Sequence, residues 1–207
     1  MEALLEERAG IVEDPRGLAH YLEDGSKILC TPIVTEEILA ISFLRWSSEG
    51  LINRIFNESP GTLTSFISKL YSDKVQMLAF LKEDMSGSLS PLGLGWINDR
   101  TVVGDPQVFT KAEVGIGFFR KVNPRDTLWC GRMTLQYCFD NIGLDVVNGM
   151  ISVCNKPSIK YAASLGLNVS SNIPCSTIWK DKDGNTSATD SVIVTMTSIM
   201  WDNRDWR

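Results

Sequence analysis

Phe139-Asp140-Asn141-Ile142-Gly143-Leu144, the apolar run 146–154 (VVNGMISVC), Asn155-Lys156-Pro157-Ser158 and Tyr161-Ala162-Ala163-Ser164-Leu165-Gly166-Leu167 form one arc of the chain. Gly143 suits the end of a helix, because a left-handed residue there costs glycine little. The run 146–154 is short and rich in β-branched residues, which reads as a buried strand. Pro157 suits a first helical turn and Gly166 a helix stop, so a short helix is expected over 158–165. The arc therefore reads as helix end, strand, turn and helix.

Upstream of this arc, Leu128, Met133, Leu135, Cys138, Phe139 and Ile142 recur at helical spacing and predict a helix over about 126–142. Downstream, 173–180 and 191–201 read as a hairpin with a long polar connection. Residues 74–82, 92–103 and 112–121 read as an antiparallel meander, turned by Met85-Ser86-Gly87-Ser88. Thr35 followed by Glu36 and Glu37 starts a helix carrying Ile38, Ile41 and Leu44, and 62–71 is a second, with Leu63, Phe66, Ile67 and Leu70 on one face. Residues 27–34 supply a first strand. Residues 2–9 and 15–23, rich in Glu, Leu and Ala and split by Asp14-Pro15, read as an N-terminal helical extension over about 1–25. The fold class is α/β of the mixed α+β kind, a single domain over 1–207 with a central mixed sheet, antiparallel strands early and a β-α-β crossover late, flanked by helices.

At 207 residues the chain is long enough for one well-buried core. Its net charge of −5 argues against binding nucleic acid through bulk electrostatics, despite a loose basic cluster of Lys111, Arg120, Lys121 and Arg125. No apolar run reaches membrane-spanning length, so no membrane partner is expected. The start, MEALLEERAG, is acidic and lacks a signal-peptide pattern, which points to synthesis for an intracellular setting. Five cysteines without a CxxC pair suggest reduced thiols rather than a disulfide framework or zinc site. The run Asp181-Lys182-Asp183-Gly184-Asn185 lacks the later Glu of a calcium loop and reads as a solvated turn, so no metal is expected. His20, the single histidine, reads as a surface residue.

The order of elements from about 27 to 201 resembles the GNAT N-acetyltransferase fold. The run from Asn155 through Ser158, Ala162, Leu165 and Gly166 looks like the N-x-x-S-x-x-x-A-x-x-L-G-F signature of the branch containing the ribosomal-protein alanine acetyltransferases, with Leu167 in place of Phe. The chain also resembles divergent GNAT-like proteins encoded by bacteriophages. The resemblance implies acetyl-CoA as co-substrate, with Asn155 turning its amide towards the pantetheine and also suited to capping the next helix. Relatives cradle the pyrophosphate with a loop written R/Q-x-x-G-x-G/A at the start of the long helix, where small residues let backbone N–H groups approach phosphate. Here Arg125 takes the first position, but Leu128 and Cys130 stand at the glycine positions. Counting back from Phe139 instead puts Val122 first. The cofactor side is thus assigned to Phe119, Lys121, Arg125, Cys130, Gly131, Arg132 and Asn155, although Phe118 and Phe119 also suit a strand core. Asp126 sits where phosphate would lie, and a helix-start role accounts for it equally well.

Catalysis by direct amine attack on a thioester needs a base for the amine and an acid for the leaving thiolate. Glu113, on the fourth predicted strand with Gly115 and Gly117 on the same face, is the base candidate. The position where many relatives carry a Tyr acid is Ala162 here, and Ser158 is the polariser or acid that the branch resemblance leaves. Two functions follow. The first is an acyl-CoA-dependent N-acyltransferase acting on a small-molecule amine or a protein N-terminus. The second is a catalytically inactive GNAT-fold structural or interaction protein in a homo-oligomer or larger assembly, such as a phage virion. The corresponding locations are the cytoplasm, a host cytoplasm or a virion.

Overall fold

A computed structural model describes residues 10–56, 60–72, 74–104, 108–180 and 185–204. The chain opens with a hairpin, β1 (Val12–Asp14) and β2 (Gly17–Tyr21), followed by β3 (Lys27–Thr31). Helices α1 (Glu36–Ser48), α2 (Ile52–Ile55) and α3 (Leu63–Leu70) come next, then the meander β4 (Gln76–Glu83), β5 (Leu89–Val103) and β6 (Phe109–Phe118). The long helix α4 (Pro124–Gln136) continues into one π turn, Tyr137–Asn141. After it follow β7 (Val146–Ser152), α5 (Lys156–Ser164), β8 (Asn168–Lys180), β9 (Thr186–Thr197) and α6 (Ser198–Asp202).

The nine strands form one sheet in the order β1-β2-β3-β4-β5-β6-β7-β9-β8. Every pairing is antiparallel except β6 with β7, which α4 joins as a crossover. Alternation along the strands sends one set of side chains to each face. Leu18, Ile28, Leu78, Phe80, Ile97, Ala112 and Val147 pack with Met133, Cys138 and Phe139 under α4 and its π turn. Ala19, Leu29, Ala79 and Leu94 pack with Leu39, Trp46, Phe66 and Leu70 under α1 and α3. The mixed α+β architecture expected from the sequence is present.

Local chemistry explains the helix starts. Thr35 caps α1 by accepting from the Ile38 N–H, and Thr62 caps α3 through the Ser65 N–H. Gly143 and Gly166 adopt φ of 74° and 83°, the left-handed conformation that ends a helix.

Two expectations are corrected. The helix expected over 15–23 is the strand β2 paired to β3, so the described part of the N-terminal extension is a hairpin; residues 2–9 lie outside the described residues. The physical reason is that both faces of β2 are covered: Leu18 faces one core and Ala19 the other, so no polar alternation marks it. His20 is buried rather than surface-exposed. Its ring stacks on Trp129 at 3.5 Å and 16°, and desolvation lowers its pKa. Trp206 and the loop 181–184 fall outside the described residues. Among the described residues no group of His, Cys, Asp and Glu is arranged to hold a metal, and no helix is long and apolar enough to cross a membrane.

Candidate functional site

β6 and β7 make the feature around which a site can form. They pair over only Lys111–Glu113 with Val146–Asn148, and then part. At the fork the backbones are close: a β-carbon on Gly149 would stand 3.2 Å from the Val114 carbonyl oxygen. Beyond it, β6 runs five more residues to Phe118, about 16 Å at the usual strand rise. The two strands therefore leave a wedge with Glu113 at its closed end and the loop into α4 at its open end.

Glu113 is half-buried, and desolvation together with the negative charge of Asp99 pushes its carboxyl above the usual range. It pairs across the ladder with Asn98 and Asn148. Gly115, two residues on, has no room for a side chain because the Trp96 indole lies across it. Gly117 is likewise covered by Trp46 and Ile55. A half-buried carboxyl with a raised pKa at the apex of a wedge is a stronger base than a solvated one, and so is chemically suited to accept a proton.

At the open end, Asn123 caps α4 and its side chain accepts from the Arg125 N–H at 2.9 Å. Pro124 contributes no N–H, and the Thr127 N–H donates to the Asn123 carbonyl at 3.0 Å. The backbone amides of Lys121, Asn123 and Asp126 find no acceptor among the described residues. Open amides at a helix start are the raw material of an anion site. The Asp126 carboxylate does not oppose this, because it is buried and lies 3.2 Å from Lys82 Nζ. The helix start at Pro124 places Leu128 and Cys130 both in the second turn, whereas the register counted from Val122 puts its cradle positions in the first turn, at the helix entrance.

The residues assigned to the cofactor side separate into groups. Lys121 is exposed beside the open amides, and Arg125 is exposed with Nη2 at 2.9 Å from Glu23. Phe119 is in the α1-side core beneath the Arg45 guanidinium at 3.9 Å. Cys130 is in the α4-side core, where burial pushes its thiol well up. Gly131 is where α4 meets α5: an added β-carbon would collide with the Tyr161 hydroxyl and stand 2.7 and 2.8 Å from the Leu165 methyls. Arg132 lies over Trp129 at 4.6 Å. Leu128 and Trp129 pack against the α4-side core, Trp129 with its ring stacked on His20. Asn155 caps α5, its Oδ1 accepting from the Ser158 N–H at 3.4 Å.

Among the described residues no hydrogen bond joins Glu113 to Ser158, whose N–H donates to the Asn155 side chain. Tyr161, one helical turn after Ser158, packs edge-on against Phe118 at 5.7 Å and donates to the Thr127 carbonyl at 2.7 Å. α5 thus stands at the open end of the wedge, five strand residues from Glu113. Sequence reasoning missed Asn98, Asp99, Asn148 and Trp96 around Glu113, because strand register and the β5 bulge after Asn98 decide those contacts.

No family model matches the chain, and no curated protein matches it by sequence. Solved structures do match. A probable GNAT-family acetyltransferase from Chromobacterium violaceum superposes with a TM-score of 0.64 at 15% identity, covering 93% of this chain and 91% of that one. The spermidine N-acetyltransferase of Vibrio cholerae in complex with CoA and spermine gives 0.63 at 15% identity, covering 85% of this chain and 98% of that one. A GCN5-related N-acetyltransferase from Brucella melitensis gives 0.61 at 18% identity, covering 94% and 81%. The fold is that of the GNAT acetyltransferases; the likeness at these identities carries the fold alone.

Proposed function

We propose that this protein is an acyl-CoA-dependent N-acyltransferase, with the acyl thioester at the β6–β7 fork and Glu113 as the base. The observation that carries the reading is the fork itself: two parallel strands that pair over three rungs, part, and place a half-buried carboxyl with a raised pKa at the apex. The open amides of Lys121, Asn123 and Asp126 lie at the other end, where the phosphates of an extended acyl-CoA would come to rest. Lys121 would add charge there, and Asn155 its amide at the end of β7. In the reaction the amine nitrogen attacks the thioester carbonyl, a C–N bond forms and the C–S bond breaks. The amine proton passes to the Glu113 carboxylate, and CoA leaves as a thiolate that is protonated from solvent. Solvent is assigned this role because Tyr161, three residues after Ser158, packs on Phe118, five strand residues from Glu113.

A second reading, a GNAT fold without catalysis serving in an assembly such as a virion, draws on one observation. Tyr161 and Gly131 close the seam between α4 and α5, and no glycine serves the helix entrance. Acetyl-CoA separates the two. On the first reading, acetyl-CoA at a hundredfold its Kd stabilises the chain by about 2.7 kcal/mol, or roughly 5–11 °C in Tm for a chain of this size. No thermal shift and no calorimetric heat at millimolar acetyl-CoA would leave the second reading standing.

A further inference from the structure

The single histidine of the chain is buried at the seam between the N-terminal hairpin and α4. His20 projects with Leu18 from the face of β2 that α4 covers, and its rung partner Ile28 lies in the same core. Its ring lies flat on the Trp129 indole, with centroids 3.5 Å apart and planes 16° from parallel. Its Nδ1 stands 3.4 Å from the Gly10 carbonyl oxygen. A carbonyl only accepts, so neutral His20 keeps its hydrogen on Nδ1 and a second proton has to go to Nε2. One imidazole thus ties together the segment before β1, the strand β2 and the second turn of α4.

The surroundings favour the neutral ring. Among the described residues, α4 places three charged side chains near it: Arg125, Arg132 and Asp126. The two guanidiniums oppose an imidazolium. Arg132 lies over the Trp129 indole at 4.6 Å, so the ring that could welcome a cation already serves one. Asp126 would favour the proton, but it is ion-paired with Lys82 of β4 at 3.2 Å. Arg125 reaches Glu23, just beyond β2, at 2.9 Å. β3 offers Ile28 and the Cys30 thiol, which burial keeps protonated and uncharged. The ion-paired Asp14, Arg16, Lys27 and Glu83 belong to the opposite face, since Lys27 alternates with Ile28. Desolvation, ahead of every other cause, holds the His20 pKa below its ordinary value.

We propose that His20 is a proton-operated latch: neutral, it clamps the N-terminal hairpin to α4 through Trp129, and protonated, it releases the first two turns of that helix. β2 itself stays in the sheet, because four rungs join it to β3, whereas its seam with α4 is made by side chains. The released turns begin at the helix entrance, so mild acid acts on that end of the chain. The inference does not rest on the acyl-transfer reading. Its sign follows from the lowered pKa. The open form takes the proton first, so acid favours opening from the ordinary imidazole value of 6.5 down to the native midpoint, and no further below it.

A lone histidine gives one set of imidazole signals, so proton NMR of the wild type reads the native midpoint. Hydrogen exchange at residues 125–131, from about pH 5 to 8, reads the opening, with Leu78, Ala79 and Phe80 of β4 as an internal control. Two variants cannot take the proton: His20→Phe retains a flat ring for Trp129, and His20→Gln retains a donor for the Gly10 carbonyl. The wild-type midpoint is expected below 6.5. Protection at 125–131, corrected for the intrinsic rate, is expected to fall by up to about tenfold per pH unit between that value and the midpoint, while the β4 control holds. Either variant, once folded, should lack this acid-dependent fall. A midpoint at or above 6.5 overturns the proposal, as does a ring that titrates only as the whole chain unfolds. So does a loss of protection shared equally by β4, or the same fall in His20→Phe or His20→Gln.

Discussion

Gly131→Ala sets local preference against tertiary packing. In an exposed helix interior, Ala is preferred over Gly by about 1 kcal/mol. Gly131 is buried, and its would-be β-carbon collides with the Tyr161 hydroxyl and both Leu165 methyls. Neither neighbour is free to move. Tyr161 is held by its 2.7 Å bond to the Thr127 carbonyl and by Phe118, while Leu165 is 3% exposed. Overpacking costs roughly 1–3 kcal/mol. A displaced hydroxyl leaves the Thr127 carbonyl without that donor, roughly another 1–3 kcal/mol. After subtracting the helix preference, the variant is expected to lose about 3 kcal/mol, or on the order of 6–12 °C in Tm. Thermal unfolding followed by circular dichroism reads this directly. Adding Tyr161→Phe removes the colliding oxygen and recovers part of the loss, a non-additivity expected of neighbours in contact. A Gly131→Ala protein as stable as the wild type, or more stable, would refute the α4–α5 contact described here.

Further outcomes follow from burial and charge. Of the five cysteines, Cys154 and Cys175 are exposed, while Cys30, Cys130 and Cys138 are buried, the last with its thiol pushed up to about 12; a thiol reagent should label two sites in the native chain and all five only after denaturation. Asp14, whose carboxyl Arg16 and then Lys27 hold well below the usual range, contributes stability above the ordinary carboxylate pKa that is lost as pH falls. Asp14→Asn should therefore lower Tm at pH 7, and the difference from the wild type should shrink in strong acid. Glu113 works the other way: its raised pKa means the native state holds its proton more tightly than the unfolded chain, so its contribution falls as pH rises through that range. Glu113→Gln should raise Tm above pH 7 and lose that advantage on acidification.

Much of this architecture is legible in the residues, and the failures have physical causes. Thr35-Glu36-Glu37 announces α1 because capping is local chemistry, and Gly143 and Gly166 mark helix ends for the same reason. β2 is misread because Gly-Leu-Ala-His-Tyr is buried on both sides and carries no alternation. His20 is misplaced because its partner, Trp129, is more than a hundred residues away. Within the site, alternation suffices to put Glu113, Gly115 and Gly117 on one face. It says nothing of what faces them, since Asn98 and Asn148 meet Glu113 through strand register and Asp99 reaches it through a bulge. Gly131 reads as room for a phosphate and is instead room for Tyr161, a distinction that only helix–helix packing makes.

The most direct test of the account is acetyl transfer from acetyl-CoA to a primary amine by the wild type and Glu113→Gln, with acetyl-CoA affinity measured in parallel. A base acts in the transition state, so its loss should lower kcat by roughly 10²–10⁴-fold with the acetyl-CoA Kd unchanged. The wild-type rate should fall as pH drops through the raised pKa of Glu113. Equal turnover in the two proteins would contradict the assignment of Glu113 at the fork.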